Sequence, residues 1–330
     1  MAVTQSGRPA GSWQDRSGGT YVVRVMVAPA LHHPLSIGQK IGAYVALTKP
    51  RIIELLLVTT VPTMVVAEQG MPSLWLMCAT VIGGALAAGG SNAVNMYVDR
   101  DIDKLMERTK NRPLATGAIE PRNALIFAIV LEIVAFVFLW TTVNLLSAAL
   151  AVSACLFYVF VYTLWLKRSS SQNIVIGGAA GAIPVLIGWS SVTDSVGATF
   201  SAAPVLLFAR MFAWTPPHFW ALAIKYKDDY AAADVPMLPA VASYAETTRR
   251  ILAYTVVVWA LSLAFGWAAE LGTIYWSAAV VLGAAFTWMA VRVQRTESPA
   301  AAIKLFTFSI TYITLLFGAM AADVLVRQGW

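Results

Sequence analysis

Charge is scarce in this chain. Only 12% of its 330 residues are Asp, Glu, Lys or Arg, 58% are hydrophobic, and the mean hydropathy is +0.69. A soluble domain carries about 25% charged residues, so that class is excluded and a polytopic membrane protein is expected. Cysteine is scarcer still. Cys78 and Cys155 both fall inside apolar runs, so neither a thiolate zinc site nor a disulfide framework can be built, and both read as packing residues. Residues 1–38 lack any apolar run of secretory length and are made largely of Gly, Ser, Arg and Pro, with His32 and His33 among them. They read as a disordered cytoplasmic tail ahead of a transmembrane domain at 39–330. Arg8, Arg16 and Arg24 with the single acid Asp15 also fit a mitochondrial transit peptide.

What is present is a series of apolar runs, each long enough to cross a bilayer. They fall near 52–68, 74–98, 123–143, 145–166, 173–193, 199–224, 251–268, 274–293 and 303–325. The expected fold is therefore all-α, about nine transmembrane helices bundled around a central cavity. Of the 23 Lys and Arg, all except Arg210 and Arg327 lie in the N-terminal tail, on loops after even-numbered spans, or at their edges. The opposite loops offer Glu68, Asn144, Asp194 and Glu270 and no basic residue. Cytoplasmic loops accumulate Lys and Arg, so the N-terminus is read as cytoplasmic and the C-terminus as external. The net charge of +6 is thus a topological signal and not a nucleic-acid-binding surface.

Two loops then stand out, both delivered to the cytoplasmic face by an even-numbered span. At the end of the second span Asn95, Asp99 and Asp103 recur every fourth residue. On a helix they drift only about 40° per step and share one face. Such a set of hard oxygen donors suits Mg²⁺, which is usually held by one or two carboxylates together with substrate phosphates. The same loop carries Arg100, Asp101, Lys104, Glu107, Arg108, Lys110 and Arg112. The loop after the sixth span carries Lys225, Lys227, Asp228, Asp229 and Asp234. Two facing carboxylate clusters with interspersed cations suit a diphosphate bound through metal, with Lys and Arg on the remaining oxygens. Asp101, Glu107, Lys110 and Lys227 read as solvated loop surface. Gly83, Gly84, Gly89, Gly90, Gly177 and Gly181 read as close helix-packing points.

The motif Asn95-x-x-x-Asp99-x-x-x-Asp103 resembles the first signature of the UbiA-type intramembrane prenyltransferases. The surrounding words Asn95-Met-Tyr-Val-Asp-Arg-Asp-Ile-Asp103, Arg108-Thr-Lys-Asn-Arg-Pro-Leu114, Asn173-Ile-Val-Ile-Gly-Gly178, Thr215-Pro-Pro-His-Phe-Trp-Ala-Leu222 and Lys225-Tyr-Lys-Asp-Asp-Tyr230 resemble, within that group, the protohaem IX farnesyltransferase (haem O synthase) family. The likeness spans roughly residues 40–325. The second acidic cluster departs from the Asp-x-x-x-Asp form common in the superfamily, leaving open which of Asp228, Asp229 and Asp234 meets metal.

The resemblance implies transfer of a farnesyl group from farnesyl diphosphate to a vinyl carbon of haem B, with addition of water, giving haem O and diphosphate. It makes haem B a substrate, Mg²⁺ the cofactor, and a downstream haem A synthase a candidate partner, in a bacterial inner membrane or, alternatively, a mitochondrial one. On that basis Asp99, Asp103, Asp228 and Asp229 hold Mg²⁺, assisted by Asn95. Lys49, Arg51, Lys104, Arg108, Arg112, Lys167, Arg168 and Lys225 contact the diphosphate. Tyr97, Tyr158, Tyr162 and Trp165 wall the allylic cation, and His218 meets the haem. His218 follows Pro216 and Pro217, which should break or kink the sixth span. Arg210 is an intramembrane cation without an obvious carboxylate partner. A secondary transporter also uses broken helices and buried charge, but its coupling acids belong near the midplane, whereas these lie at cytoplasmic helix ends. Within the enzymes, a quinone-type acceptor is the nearest rival to haem.

Overall fold

The computed structural model describes residues 12–14, 20–22 and 36–328, with the side chains of 36–50 and 58–328. Two short strands, β1 (Ser12–Gln14) and β2 (Thr20–Val22), pair antiparallel with Trp13 opposite Tyr21. Both strands fall within the expected tail 1–38, whose last two residues, Ile37 and Gly38, belong to the first helix; His32 and His33 lie outside the described residues.

The helices follow in chain order. They are α1 (Ile37–Leu47), α2 (Pro50–Glu68), α3 (Leu74–Val98), α4 (Pro121–Thr142), α5 (Leu145–Leu156), α6 (Lys167–Ser169), α7 (Asn173–Thr193), α8 (Val196–Thr199), α9 (Ala202–Lys225), α10 (Lys227–Ala232), α11 (Leu238–Val241), α12 (Tyr244–Ala268), α13 (Thr273–Thr296) and α14 (Pro299–Gln328). Between α5 and α6 the chain continues as ten residues of π-helix, Phe157–Leu166, so that Leu145–Ser169 forms one span.

Local chemistry explains the boundaries. The narrow gap between α4 and α5 is made by Asn144, whose side chain accepts from Ser147 N–H at 2.7 Å as an N-cap and whose amide donates to the Ser190 carbonyl of α7 at 2.8 Å. Ser73 and Ser243 cap α3 and α12 in the same way. The left-handed residues Gln69, Asp194 and Glu270 end α2, α7 and α12 on the face opposite the acidic loops.

Among the described residues seven helices are long and apolar enough to cross a membrane: α3, α4, Leu145–Ser169, α7, α12, α13 and α14. These are seven of the nine expected spans; the other two expected spans correspond to α2 and α9. In α2 the described side chains from Val58 to Glu68 form a shorter apolar stretch. α9 falls short for a different reason, visible in its burial. Fifteen of its residues, from Ala203 to Ile224, are buried against α7, α12 and α14. A helix jacketed by protein does not need a lipid-compatible surface. By contrast α4 exposes Ile126, Ile129, Ile133, Val137 and Trp140 at helical spacing, a lipid-facing stripe.

Glycine lets these helices approach closely. A Cβ on Gly83 would lie 2.4 Å from Leu139 of α4, and one on Gly177 would lie 2.3 Å from Tyr162. Gly89 and Gly90 also abut side chains of neighbouring elements, whereas Gly84 and Gly181 face open space, so packing accounts for four of the six expected glycines. The main core is built from α7, α9 and α12–α14, around Trp220, Phe265, Tyr275, Tyr312 and Phe317. Pro216 and Pro217 do not interrupt α9, which runs unbroken from Ala202 to Lys225. The neighbours that enclose it hold its path.

Candidate active site

The four-residue register at the end of α3 survives the end of the helix. Asp99 caps α3 with its N–H on the Asn95 carbonyl at 2.9 Å, and Asp103 N–H bonds the Asp99 carbonyl at 2.8 Å. Asn95, Asp99 and Asp103 therefore stay on one side, with exposures of 3%, 0% and 2%. The loop beyond is held down and not solvated, because Ile102 and Met106 enter the main core while Leu114 and Ile119 pack with Leu47, Met96 and Ala124.

These carboxylates lie in a continuous polar chain. Lys49 Nζ donates to Asn95 Oδ1 at 2.8 Å, and Asn95 Nδ2 donates to Asp99 Oδ2 at 2.7 Å and to Thr163 Oγ1 at 3.2 Å. Lys167 donates to the same Asp99 oxygen. Arg112 Nη1 reaches both oxygens of Asp103 at 2.9 Å. Arg168 makes a two-pronged bond to Asp101 at 2.7 and 2.8 Å and lies 3.7 Å from Asp99 Oδ1. The positions that bring Thr163 and Lys167 to α3 come from the π-helical stretch, in which Tyr158 and Tyr162 stack at 5.4 Å.

Electrostatics follow from this packing. Burial, reinforced by the charges of Arg112 and Lys167, brings the Lys49 ammonium down to about 7. Hydrogen bonds from Arg168 hold the Asp101 carboxyl below the usual range. Asp99 is the telling group. It is sealed from solvent, its Oδ2 takes two donors, and its Oδ1 has no hydrogen-bond partner. A buried ion pair is weak evidence for stability, since desolvation offsets much of the attraction. An open valence on a buried carboxylate points to a ligand.

The second loop is built differently. Tyr230, Val235, Met237 and Leu238 anchor it in the main core. Asp228 and Asp234 are exposed; Asp229 is half-buried, with a sealed Oδ2 that has no partner. The two loops meet where Arg108 Nη2 donates to Tyr230 Oη at 3.1 Å, with its guanidinium 5.7 Å from the Tyr226 ring. Lys225 lies 5.4 Å from the same ring. Among the described residues no three of His, Cys, Asp and Glu converge on a metal position, so the four aspartates do not form one assembled cage. The donors are nonetheless hard oxygens, and two of them, Asp99 Oδ1 and Asp229 Oδ2, are buried and open. That fits Mg²⁺ bound partly through substrate oxygens.

Other expected residues fall elsewhere. Lys104 is exposed, and the side chain of Arg51 lies outside the described residues. Trp165 is 64% exposed on the lipid side and does not wall the site, and Tyr97 is occupied by Arg100, 4.6 Å from its ring. Arg210 is fully buried, its guanidinium over Phe317 at 4.4 Å and its Nη1 on Tyr275 Oη at 3.4 Å. His218 bonds Ser309 of α14 at 2.7 Å, not a carbonyl of its own helix. Sequence reasoning missed Thr163, Tyr230 and Ser309. Each is a neutral hydroxyl whose partner is at least 68 residues away, so no local pattern announces it.

The UbiA prenyltransferase pattern matches residues 56–316. The chain belongs to the UbiA prenyltransferase family. Family relatives include the protoheme IX farnesyltransferase of a Parafrankia species, 56% identical over 86% of this chain and 90% of the relative. The enzyme of the same name from Streptomyces avermitilis is 53% identical over 88% and 96%, and that from Mycobacterium avium is 50% identical over 91% and 96%. The same fold occurs in a UbiA homologue from Aeropyrum pernix, with a TM-score of 0.62 at 23% identity over 83% of this chain and 98% of that one. It occurs again in a UbiA homologue from Archaeoglobus fulgidus bound to GPP and Mg²⁺, with a TM-score of 0.56 at 15% identity over 84% and 99%. Those two likenesses show the shared fold, and the seven apolar helices together with the family make this a multi-pass membrane protein.

Proposed function

We propose that the protein transfers the farnesyl group of farnesyl diphosphate to a vinyl carbon of haem B, giving haem O and diphosphate. The observation that carries the reading is the buried chain Lys49–Asn95–Asp99–Lys167 with Asp103–Arg112 beside it. Its buried carboxylates, flanked by cations and an amide, suit a metal-bound diphosphate, and the named relatives supply the acceptor. In the reaction the C1–O bond of the prenyl diphosphate breaks and the leaving group takes the electron pair. The vinyl π pair forms the new C–C bond. Water then adds to the resulting cation on the vinyl carbon next to the macrocycle, and a proton departs.

Asp99, Asp103 and Asp229, with Asp228 at the rim, would share Mg²⁺ with the substrate's phosphate oxygens, and the bound metal would neutralise the leaving group's charge. Lys49 exchanges the amide oxygen of Asn95, and Arg112 and Lys167 their carboxylate partners, for phosphate oxygens, while Arg51, Lys104, Arg108, Arg168 and Lys225 complete the cationic rim. Asn95 orients Lys49 and Asp99. The stacked Tyr158 and Tyr162 offer a polarizable face to the allylic cation and exclude water from it. His218, on the central helix, meets the haem. The bacterial relatives support the inner membrane over the mitochondrial one, with the acidic loops cytoplasmic. Purified protein incubated with farnesyl diphosphate, Mg²⁺ and haem B should yield haem O by mass spectrometry. Failure to form it, with farnesylation of a quinone-type acceptor instead, would sink the assignment of the acceptor.

A further inference from the structure

The environment of His218 determines which of its nitrogens carries the proton. Ser309 Oγ lies 2.7 Å from His218 Nδ1 and 2.6 Å from the carbonyl oxygen of Phe306, one turn earlier in α14. A carbonyl has no proton to give, and two bare oxygens do not rest at 2.6 Å, so the hydroxyl hydrogen of Ser309 lies on the Phe306 carbonyl. A serine has only one such hydrogen. Nδ1 must therefore be the donor in its bond to Ser309. No carboxylate touches the ring. It is sandwiched by Trp214 at 4.3 Å and Phe306 at 4.6 Å, with Phe219 edge-on at 5.1 Å. Trp214 is itself pinned, its indole N–H on the Ser309 carbonyl at 3.1 Å. The imidazole is thus neutral and clamped on both faces. The one atom left with a free lone pair is Nε2, which has no hydrogen-bond partner and is not among the sealed atoms.

We infer that Ser309 is a positioning residue: it fixes His218 as the Nδ1–H tautomer and so presents an unprotonated Nε2 as the axial ligand to the iron of the acceptor haem. An outer hydrogen bond that sets tautomer and ring orientation is the usual support of a metal-ligating histidine. The serine lies 91 residues away, on a helix that contributes nothing to the diphosphate site described above. This inference rests on the proposed haem acceptor for the iron and on geometry alone for the tautomer, and the two parts separate experimentally.

The full-length protein, labelled with ¹⁵N-histidine in nanodiscs and without haem, should show one resonance pair absent from the His218→Ala variant, with a protonated Nδ1 and an unprotonated Nε2. Ser309→Ala should mix the tautomers and Ser309→Thr, which keeps the hydroxyl, should restore the single one. A protonated Nε2 in the native protein, or a spectrum unchanged in Ser309→Ala, overturns the inference. Titration with ferric haem B should then weaken about ten- to hundredfold in Ser309→Ala, with a changed Soret band and spin state and with recovery in Ser309→Thr. A Ser309→Ala variant that binds haem with native affinity and spectrum overturns the ligand role. Loss of haem O formation in the native protein would instead count against the reading of function, leaving the tautomer result untouched.

Discussion

The two acidic loops look alike as strings of letters and differ sharply as structures. After α3, the carboxylates of Asp99 and Asp103 are 0% and 2% exposed and each is met by a cation. After α9, Asp228 and Asp234 stand in solvent, and only Asp229 turns a sealed oxygen inward. The cause lies in the backbone. The first loop inherits the register of α3, so its acids remain where the helix aimed them. The second starts a new short helix, α10, whose single buried side chain is Tyr230. A charge removed from water with an unfilled valence has been placed there against a cost, whereas a charge left in water carries no such implication. The comparison therefore ranks acids that their sequence spacing leaves equal.

The largest effect that could break this comparison is all-or-none, because the comparison assumes that both loops share one face of the membrane. In a background lacking Cys78 and Cys155, Lys110→Cys and Ala232→Cys should be shielded from an impermeant thiol reagent applied to intact cells, while Glu270→Cys should react. Labelling of either loop from outside would overturn the topology.

Next in size are Asp99→Asn and Asp103→Asn, which should lower turnover by about two orders of magnitude or more, as expected for removing several kcal/mol of charge stabilisation. Circular dichroism and gel filtration of the variants would verify that they fold, and near-native rates from folded protein would remove these residues from the site. Chelation by EDTA should stop the reaction equally, with Mg²⁺ restoring it. Asp229→Asn should lose about tenfold, read most clearly as a raised Mg²⁺ requirement. Smallest are Asp228→Asn and Asp234→Asn. An exposed charge worth under about 1 kcal/mol predicts less than about a fivefold change. A loss at Asp228 matching that at Asp99 would erase the ranking.

The sequence carries the lipid-facing part of this fold because lipid acts on single helices. The runs that became α3, α4, α7, α12, α13 and α14 are legible, down to the break at Asn144 that separates α4 from α5. The part shaped by protein against protein is less so. α9 is too polar and too proline-rich for a simple span, and it passes through the bundle unbroken only because its neighbours enclose it. The candidate site divides in the same way. Asn95, Asp99 and Asp103 announce themselves by spacing, and Lys167 and Arg112 by their type. Thr163 and Ser309 do not, since a hydroxyl becomes informative only when the fold supplies its partner. Trp165 shows the converse, an aromatic well placed along the chain that the wide turn of the helix sends to lipid.

That wide turn limits how this chain can change length. The ten π-helical residues Phe157–Leu166 lie inside a span whose apolarity would tolerate the gain or loss of a residue. Removing one would let the stretch relax toward ordinary α-helix and would swing everything on one side of the deletion by about 100°. Hydropathy, span length and charge bias would all read the same afterwards. Yet Thr163 and Lys167 would no longer both face Asn95 and Asp99, and Tyr162 would leave the seat that Gly177 keeps open for it. In this segment the number of residues is as much a part of the inherited site as their identity.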